Sequence, residues 1–420
     1  MVALPAYVSG AGRTPDDGYE RIGYFPSWTV DSRGYRVRDV VTSGAADRLT
    51  QLNYAFGNVG EDGRCSMSED TDPYADFQRL DGAADSVDGR ADTADQRLAG
   101  NLGQLRELKR RNPRLVVGVT LGGWNWSRYF SDAARTAESR RAFARSCVDL
   151  WIKGNLPRIG SAPQGGPGAA AGVFDAIDID WEWPAAEGNE RNVVRDADRR
   201  NYTLLLAELR RALDEAGREA GRRYRLTASL SPDPVKAAAG IEPEIFSHID
   251  FATVQGYDFH GSWSEVTNHH AQLFSPRDDP SPERLSADLA IRTYLAMGVR
   301  PRQLVLGVPA FGRGWSGVGP ERFGQYQEVN GPAPGGYEPG GDSYRALSRR
   351  TGQRFFDPLH GAYWVYDGDA WWTYDDPKVV AMKARYVRST GLRGLMIWSL
   401  EADDPDAGLV RAMDSTLRTG

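Results

Sequence analysis

Short apolar, β-branched runs recur along the chain and alternate with longer amphipathic stretches. The strand-like runs are RIGYFPSW (21–28), LTQLNYAFG (49–57), RLVVGVTLGGW (114–124), FDAIDIDWEWP (174–184), YRLTASLS (224–231), DFATVQGYD (250–258), QLVLGVPAFGRG (303–314) and GLMIWSL (394–400). Between them, NLGQLRELKRRN (101–112) and NYTLLLAELRRALDEAG (201–217) place apolar residues three or four apart, with charge on the other face, the period of a half-buried helix. Strands that alternate with helices argue parallel βαβ units. Eight such runs predict an α/β protein built as a closed (β/α)8 TIM barrel, a fold that typically needs about 250 residues before insertions.

The chain has 420 residues, so the surplus must lie in excursions. Residues 58–100 are polar and Asp-rich, too long for an ordinary βα loop, and predict an excursion at the barrel rim. The Gly- and Ala-rich segment 160–172 reads as a flexible connector. Residues 314–376 are rich in Gly, Pro and aromatics and read as a small α+β insertion between the seventh strand and its helix. The expected division is a tail at 1–19, a barrel formed by 20–313 and 377–420, and the insertion at 314–376.

Composition narrows the function classes. Apolar residues make up 40% and charged residues 26%, and the net charge is −6. That is an ordinary globular balance. It supports no basic face, so nucleic acid and anionic membrane surfaces are poor partners. No apolar run approaches the roughly 20 residues of a spanning helix. The N-terminal MVALPAYVSGAG has neither the basic stretch nor the apolar core of a signal peptide. There are two cysteines, Cys65 and Cys147. Cys147 lies in a helical pattern and reads first as a buried free thiol; a bridge to Cys65 is the alternative and would fit a secreted protein. The adjacent His269 and His270 would face different ways and read as a solvent-exposed loop. Asp403, Asp404 and Asp406 read as caps of the last helix.

The chemistry concentrates in Asp175-Ala-Ile-Asp178-Ile-Asp180-Trp-Glu182-Trp-Pro184. On a strand, alternate side chains share a face. Asp178, Asp180 and Glu182 therefore point one way, and Ile177, Ile179, Trp181 and Trp183 the other. In a barrel the carboxyls enter the lumen, where like charges cannot all ionise cheaply and at least one pKa must rise. Glu182 comes last, nearest the C-terminal end where barrel active sites lie. A carboxyl kept protonated near neutral pH beside a second that orients it suits general-acid catalysis. A solvated acidic face on an open sheet and a divalent-cation site are the competing readings.

These residues also carry a resemblance. Asp175 to Glu182 matches the DxxDxDxE signature of glycoside hydrolase family 18, the chitinases. Thr120-Leu-Gly-Gly-Trp124 resembles that family's SxGG motif, and Gly23-Tyr24-Phe-Pro-Ser-Trp28 and Asn53-Tyr-Ala-Phe56 resemble its first two strands. Tyr257-Asp258 resembles its YD motif. Gly307 to Trp315 resembles the seventh strand, and Trp398 stands where the family has an eighth-strand tryptophan. The insertion looks like the α+β subdomain of the deep-cleft bacterial subgroup, and CVDLWIKGNLP with IDIDWEWPAAEGNE looks actinobacterial. Ala176 replaces the usual Gly, Thr120 the usual Ser, and Gln255 the usual Met.

The resemblance implies a chitinase that cleaves β-1,4-linked N-acetylglucosamine with retention, assisted by the substrate's acetamido group rather than an enzyme nucleophile. Glu182 is then the general acid/base. Asp180 turns between Asp178 and Glu182 and steadies the oxazolinium ion, Asp178 holds a shared proton, and Tyr257 binds the acetamido oxygen. Asp258 binds the distorted sugar and Trp398 floors its subsite. Gln255, Trp124, Tyr24, Phe56, Arg313 and Trp28 are the remaining expected substrate contacts, Arg313 with an ion-pair role as its alternative. The implied partners are chitin and chitooligosaccharides, with no cofactor or metal, acting as a secreted monomer whose signal was removed or whose export takes another route. An endo-β-N-acetylglucosaminidase and a non-catalytic chitin-binding lectin are the alternatives.

Overall fold

The computed structural model describes residues 18–67 and 71–418; most of the expected tail lies outside the described residues. Eight parallel strands close a barrel: β1 (Glu20–Pro26), β2 (Gln51–Val59), β3 (Val116–Gly122), β4 (Ala176–Asp180), β5 (Arg225–Leu230), β6 (Phe251–Val254), β7 (Leu304–Pro309) and β8 (Gly394–Trp398). Each pairs with its successor, and β8 pairs back onto β1 with Glu20 opposite Gly394. The helices that follow are α1 (Val37–Thr42), α2 (Gly100–Arg111), α3 (Ala137–Cys147), α4 (Asp198–Ala220), α5 (Pro234–Gly240), α6 (Ala287–Ala296), α7 (Pro377–Thr390) and α8 (Gly408–Arg418).

The helices form where the sequence supplies both a stripe and an end. In α4, Tyr202, Leu205, Leu206, Leu209, Leu213 and Ala216 are buried along one helix face, and Gly221 ends the helix with φ 65°. Before α7, the Asp376 carboxylate accepts from the Lys378 and Val379 amides at 2.9 Å each, with Pro377 in the first turn. Asp403 accepts from the Leu409 and Val410 amides, and Asp404 from Gly408. The acidic run therefore does cap the last helix.

The long segments are packed. The excursion after β2 buries Phe77, Val87 and Leu98. The segment 160–172 is also fixed, contrary to its flexible reading. Gln164 is buried and donates to the Ala94 and Gln96 carbonyls, and Gly165 bonds Arg97. Its glycines supply left-handed turns at 165 and 166. The run 303–314 is two strands rather than one. β7 ends at Pro309, Ala310 donates to the Trp398 carbonyl, and a new strand begins at Phe311.

That new strand, Phe311–Ser316, founds an antiparallel sheet with Gly331–Pro332, Gly341–Ser343, Gln353–Asp357, Ala362–Tyr366 and Trp371–Tyr374. Trp315, Val318, Trp364 and Trp371 make its own small core. This sheet sits between β7 and α7 in the chain, where the insertion was expected.

The sheet also corrects the histidine reading. His269 and His270 are 2% and 0% exposed. His269 bonds Thr373 and Gln325 and lies against the Trp364 and Trp371 rings. They are buried because the insertion folds over the loop after β6, a long-range contact that local polarity does not announce. The pair does diverge: His269 faces the indoles of the insertion core, and His270 faces the lumen side, against Phe311 and Asp258.

The cysteines likewise depart from the free-thiol reading. Cys65 and Cys147 form a disulfide, with Cα atoms 4.9 Å apart. Cys65 lies on a two-residue strand paired to the end of β2, and its amide donates to Ser146 on α3. The bridge thus ties the excursion to the helix ring.

Candidate active site

Alternation along β4 decides the site's layout. Ile177 and Ile179 join the core between strands and helices. Trp181 stacks at 5.5 Å on Phe130 and meets Tyr202 edge-on at 5.4 Å. Asp178 and Asp180 take the opposite face and are 1% and 5% exposed. The strand ladder ends at Asp180, which pairs with Gly122. Glu182 lies beyond it, in the turn above the barrel, and is half-buried. Asp175, first in the signature, sits at the other end, where it accepts from the Val117 amide and pairs with Lys109 and Arg222. It has no place among the three upper carboxyls.

Asp178 is held by three hydroxyls. Tyr24 donates to Oδ2 at 2.7 Å, Thr120 to Oδ2 at 3.1 Å, and Thr227 to Oδ1 at 2.6 Å. Burial raises its pKa and the hydroxyls partly oppose the rise. Asp180 is raised well above the usual carboxylate range, first by burial, then by the charges of Glu182 and Asp178. Its Oδ1 is buried without a hydrogen-bond partner, while Ser229 bonds the group. Burial also pushes Glu182 up to about 7, against a hydrogen bond from Gln255 that favours its anion. The repulsion expected from the sequence is thus present: three carboxyls cannot all be charged here, so protons are retained near neutral pH.

Asp258 behaves oppositely. Burial alone would raise it, but Arg313 donates at 2.8 Å and the group falls to about 2. Arg313 also reaches Glu338 at 2.5 Å. Its fork is therefore engaged by two carboxylates, the ion-pair alternative to direct sugar contact. His270 lies 3.8 Å from Asp258, and burial keeps its pKa down at about 4, so it is neutral at physiological pH.

An aromatic floor adjoins the carboxyls. Trp398 meets Phe56 at 5.5 Å, Tyr24 at 5.2 Å and Trp28 at 6.4 Å, and Trp28 stacks on Phe56 at 5.9 Å. Tyr257 packs into the same lumen cluster, edge-on to Phe311. Gly123 makes room for this floor: its φ is 75°, and a Cβ there would lie 2.6 Å from the Phe56 ring. Trp124 follows on that turn, 49% exposed, while Trp28 and Trp263 are 44% and 60% exposed. Exposed indoles round a barrel mouth suit the apolar faces of sugars.

The structure therefore brings Asp178, Asp180, Glu182, Tyr24, Gln255, Tyr257, Asp258 and Arg313 into one lumen mouth, with Phe56, Trp28 and Trp398 as its floor. Trp124 stands on the rim without a ring contact to that floor. Thr227 and Ser229 escaped the sequence reading. Their signal lay in YRLTASLS, where every second residue after Leu226 is a hydroxyl, the pattern of a lumen-facing row on β5. Ser127 and Asn192, which hold the backbone of Glu182, gave no such signal.

A (β/α)8 barrel whose C-terminal mouth joins buried carboxyls of raised pKa to an aromatic floor has the working parts of a glycosidase. The chain belongs to glycosyl hydrolases family 18, whose family model matches residues 20–403. It is 35% identical to Chitinase C of Streptomyces lividans over 94% of this chain and 59% of that protein. It is 31% identical to Chitinase A1 of Niallia circulans over 95% of this chain and 60% of that protein. The chain thus spans about three fifths of the length of these curated relatives. Among solved structures, the catalytic domain of a psychrophilic chitinase B from Arthrobacter TAD20 superposes with a TM-score of 0.93 at 41% identity, covering 97% of each chain.

Proposed function

We propose that this chain hydrolyses β-1,4 bonds in chitin and chitooligosaccharides by a retaining, substrate-assisted route, with Glu182 as general acid and base. The observation that carries the reading is the row Asp178–Asp180–Glu182 at the lumen mouth, where burial raises all three carboxyl pKa values and the charges of Glu182 and Asp178 raise Asp180 further. Glu182 gives its proton to the bridging oxygen as the C1–O bond breaks. The acetamido oxygen of the same sugar attacks C1, closing an oxazolinium ring. Asp180, rotating from Asp178 towards Glu182, accepts the acetamido N–H and stabilises the positive charge; its unpartnered Oδ1 supports that role. Glu182, now anionic, takes a proton from water, which attacks C1 and reopens the ring with net retention.

Asp178, steadied by Tyr24, Thr120 and Thr227, keeps the proton that prevents triple ionisation. Tyr257, whose pKa is raised by burial and the nearby carboxylates, stays a hydroxyl donor to the acetamido oxygen. Asp258, fixed as an anion by Arg313, binds the distorted sugar, and Trp398 forms its floor. Gln255, Tyr24, Phe56, Trp28 and Trp124 complete the cleft. The disulfide fits an oxidising compartment, which supports a secreted location.

Turnover of chitohexaose and of a fluorogenic aryl chitobioside tests this reading, with product anomers followed by NMR. The wild type should release the β-anomer first. Glu182→Gln should lower kcat by roughly 10²–10⁴-fold or more with KM little changed. Retained turnover of chitohexaose in that variant, or α-anomer release, would contradict the mechanism. Binding without turnover in the wild type would favour a lectin, and preferential release of N-glycans from glycoprotein an endo-β-N-acetylglucosaminidase.

A further inference from the structure

Strand pairing stops at Asp180, two residues before the carboxyl on which the proposed chemistry depends. Glu182 therefore has no ladder to fix it. Its backbone groups must find other partners or water, and both find side chains. The Glu182 amide donates to Ser127 Oγ at 2.9 Å. Ser127 Oγ lies 2.8 Å from the Gly123 carbonyl oxygen and 3.1 Å from that of Asp180, either of which can accept its one hydroxyl hydrogen. On the other side, Asn192 Nδ2 donates to the Glu182 carbonyl at 2.6 Å.

Both partners are themselves anchored. Ser127 is 0% exposed and sits in the turn that follows Gly122-Gly123-Trp124. Asn192 belongs to the loop that leaves Glu182 and closes over it, so tightly that a Cβ on Gly188 would overlap the Glu182 carbonyl oxygen. That loop is stitched to the Ser127 turn by the Val193 amide on the Arg128 carbonyl at 3.2 Å and by Arg191 on Asn125 at 3.4 Å.

We propose that Ser127 and Asn192 are positioning residues that clamp the peptide groups of Glu182, and through them set where its carboxyl meets the bridging oxygen. The proposal rests on the reading of Glu182 as the general acid. Neither side chain needs to touch substrate. The clamp also joins the acid to the turn that carries Trp124, which follows the neighbouring strand β3. Misplacing a catalytic group by about an ångström costs on the order of 100-fold in rate, so a clamp of this kind is a rate determinant.

The test exploits leaving groups. A poor leaving group, the sugar hydroxyl of a chitooligosaccharide, needs the acid's proton in place; an activated aryl leaving group needs it far less. Ser127→Ala should lower kcat on chitohexaose by about 10–100-fold, lower kcat on an aryl chitobioside severalfold less, leave KM near wild type and lower the thermal midpoint modestly, since the Glu182 amide loses its partner. Ser127→Thr, which retains the hydroxyl, should recover most of the loss. Equal losses on both substrates, no loss, or no difference between the Ala and Thr variants would overturn the clamp. Should Ser127→Ala fail to fold, Asn192→Ala, at the half-buried outer end, decides by the same substrate ratio. Glu182→Gln run alongside separates the two claims. If it remains active on chitohexaose, the acid assignment fails. If it is inactive while the clamp variants match wild type on chitohexaose, only the clamp fails.

Discussion

At the N-terminal mouth of the barrel, Glu20 is 1% exposed and lies 3.3 Å from both Arg225 and Arg393. Thr50 donates to it at 2.6 Å, Arg225 passes a hydrogen bond to Gln51, and Gln51 one to Asn53. At the C-terminal mouth, Asp178 and Asp180 are as deeply buried, but their neighbours are hydroxyls and another carboxyl. Taking an ion out of water costs several kcal/mol, which an opposite charge in good geometry can offset. The lower end applies that solution. The upper end meets the cost by keeping protons, and a site that keeps protons can deliver one. The same lumen thus holds a structural plug at one end and, at the other, a carboxyl row on β4 that faces no cation, with the Asp258–Arg313 pair beside it.

This contrast can be broken from either side. The largest effect is expected on activity at the upper end. Asp180→Asn should reduce kcat by about 10²–10⁴-fold. Its thermal midpoint should stay level or rise near pH 7, because a buried group that resists ionisation is replaced by a neutral one. The sign follows from linkage. A carboxyl with a raised folded pKa stabilises fully below its unfolded value and loses that contribution as pH climbs through the folded one. The removable penalty therefore grows above about pH 4. Calorimetry at pH 5 and pH 7 checks this, and a lower midpoint at pH 7 would count against the account.

At the lower end the pattern should invert. Glu20→Gln leaves Arg225 and Arg393 without their shared anion and should cost about 3–5 kcal/mol of stability, read by urea unfolding. The kcat of the folded fraction should change no more than about twofold. Loss of activity without loss of stability would dissolve the distinction between the two mouths.

A smaller effect is expected from the bridge outside both. Replacing Cys65 and Cys147 by Ser frees a loop with a sequence separation of 82 and should cost about 2–5 kcal/mol. Because the excursion leaves the end of β2, beyond Phe56, KM for long oligosaccharides should rise more than KM for dimers.

The sequence made much of this legible, for definite reasons. Period-two alternation in 174–184 placed Asp178 and Asp180 in the lumen and Ile177, Ile179 and Trp181 against the helices, because a barrel strand has only those two faces. The insertion was visible as surplus aromatic-rich chain. What escaped reading depended on contacts between distant segments. The His269–His270 pair is buried by a sheet that begins at Phe311. The disulfide joins a polar excursion to a helix 82 residues on. Ser127 and Asn192 act on the backbone of Glu182 from loops, where no periodicity speaks. The two carboxylates that Arg313 pairs with, Asp258 and Glu338, are remote in sequence, so its partners were not legible even though an ion pair was one of its two readings.

Glu182 holds its proton into the neutral range because burial outweighs the Gln255 hydrogen bond and the Lys236 charge that favour its anion. The pH dependence of kcat/KM on chitohexaose reads that group in the free enzyme. The profile should fall on its alkaline side with an apparent pKa of about 7. A profile that stays flat from pH 6 to pH 9 would contradict the account.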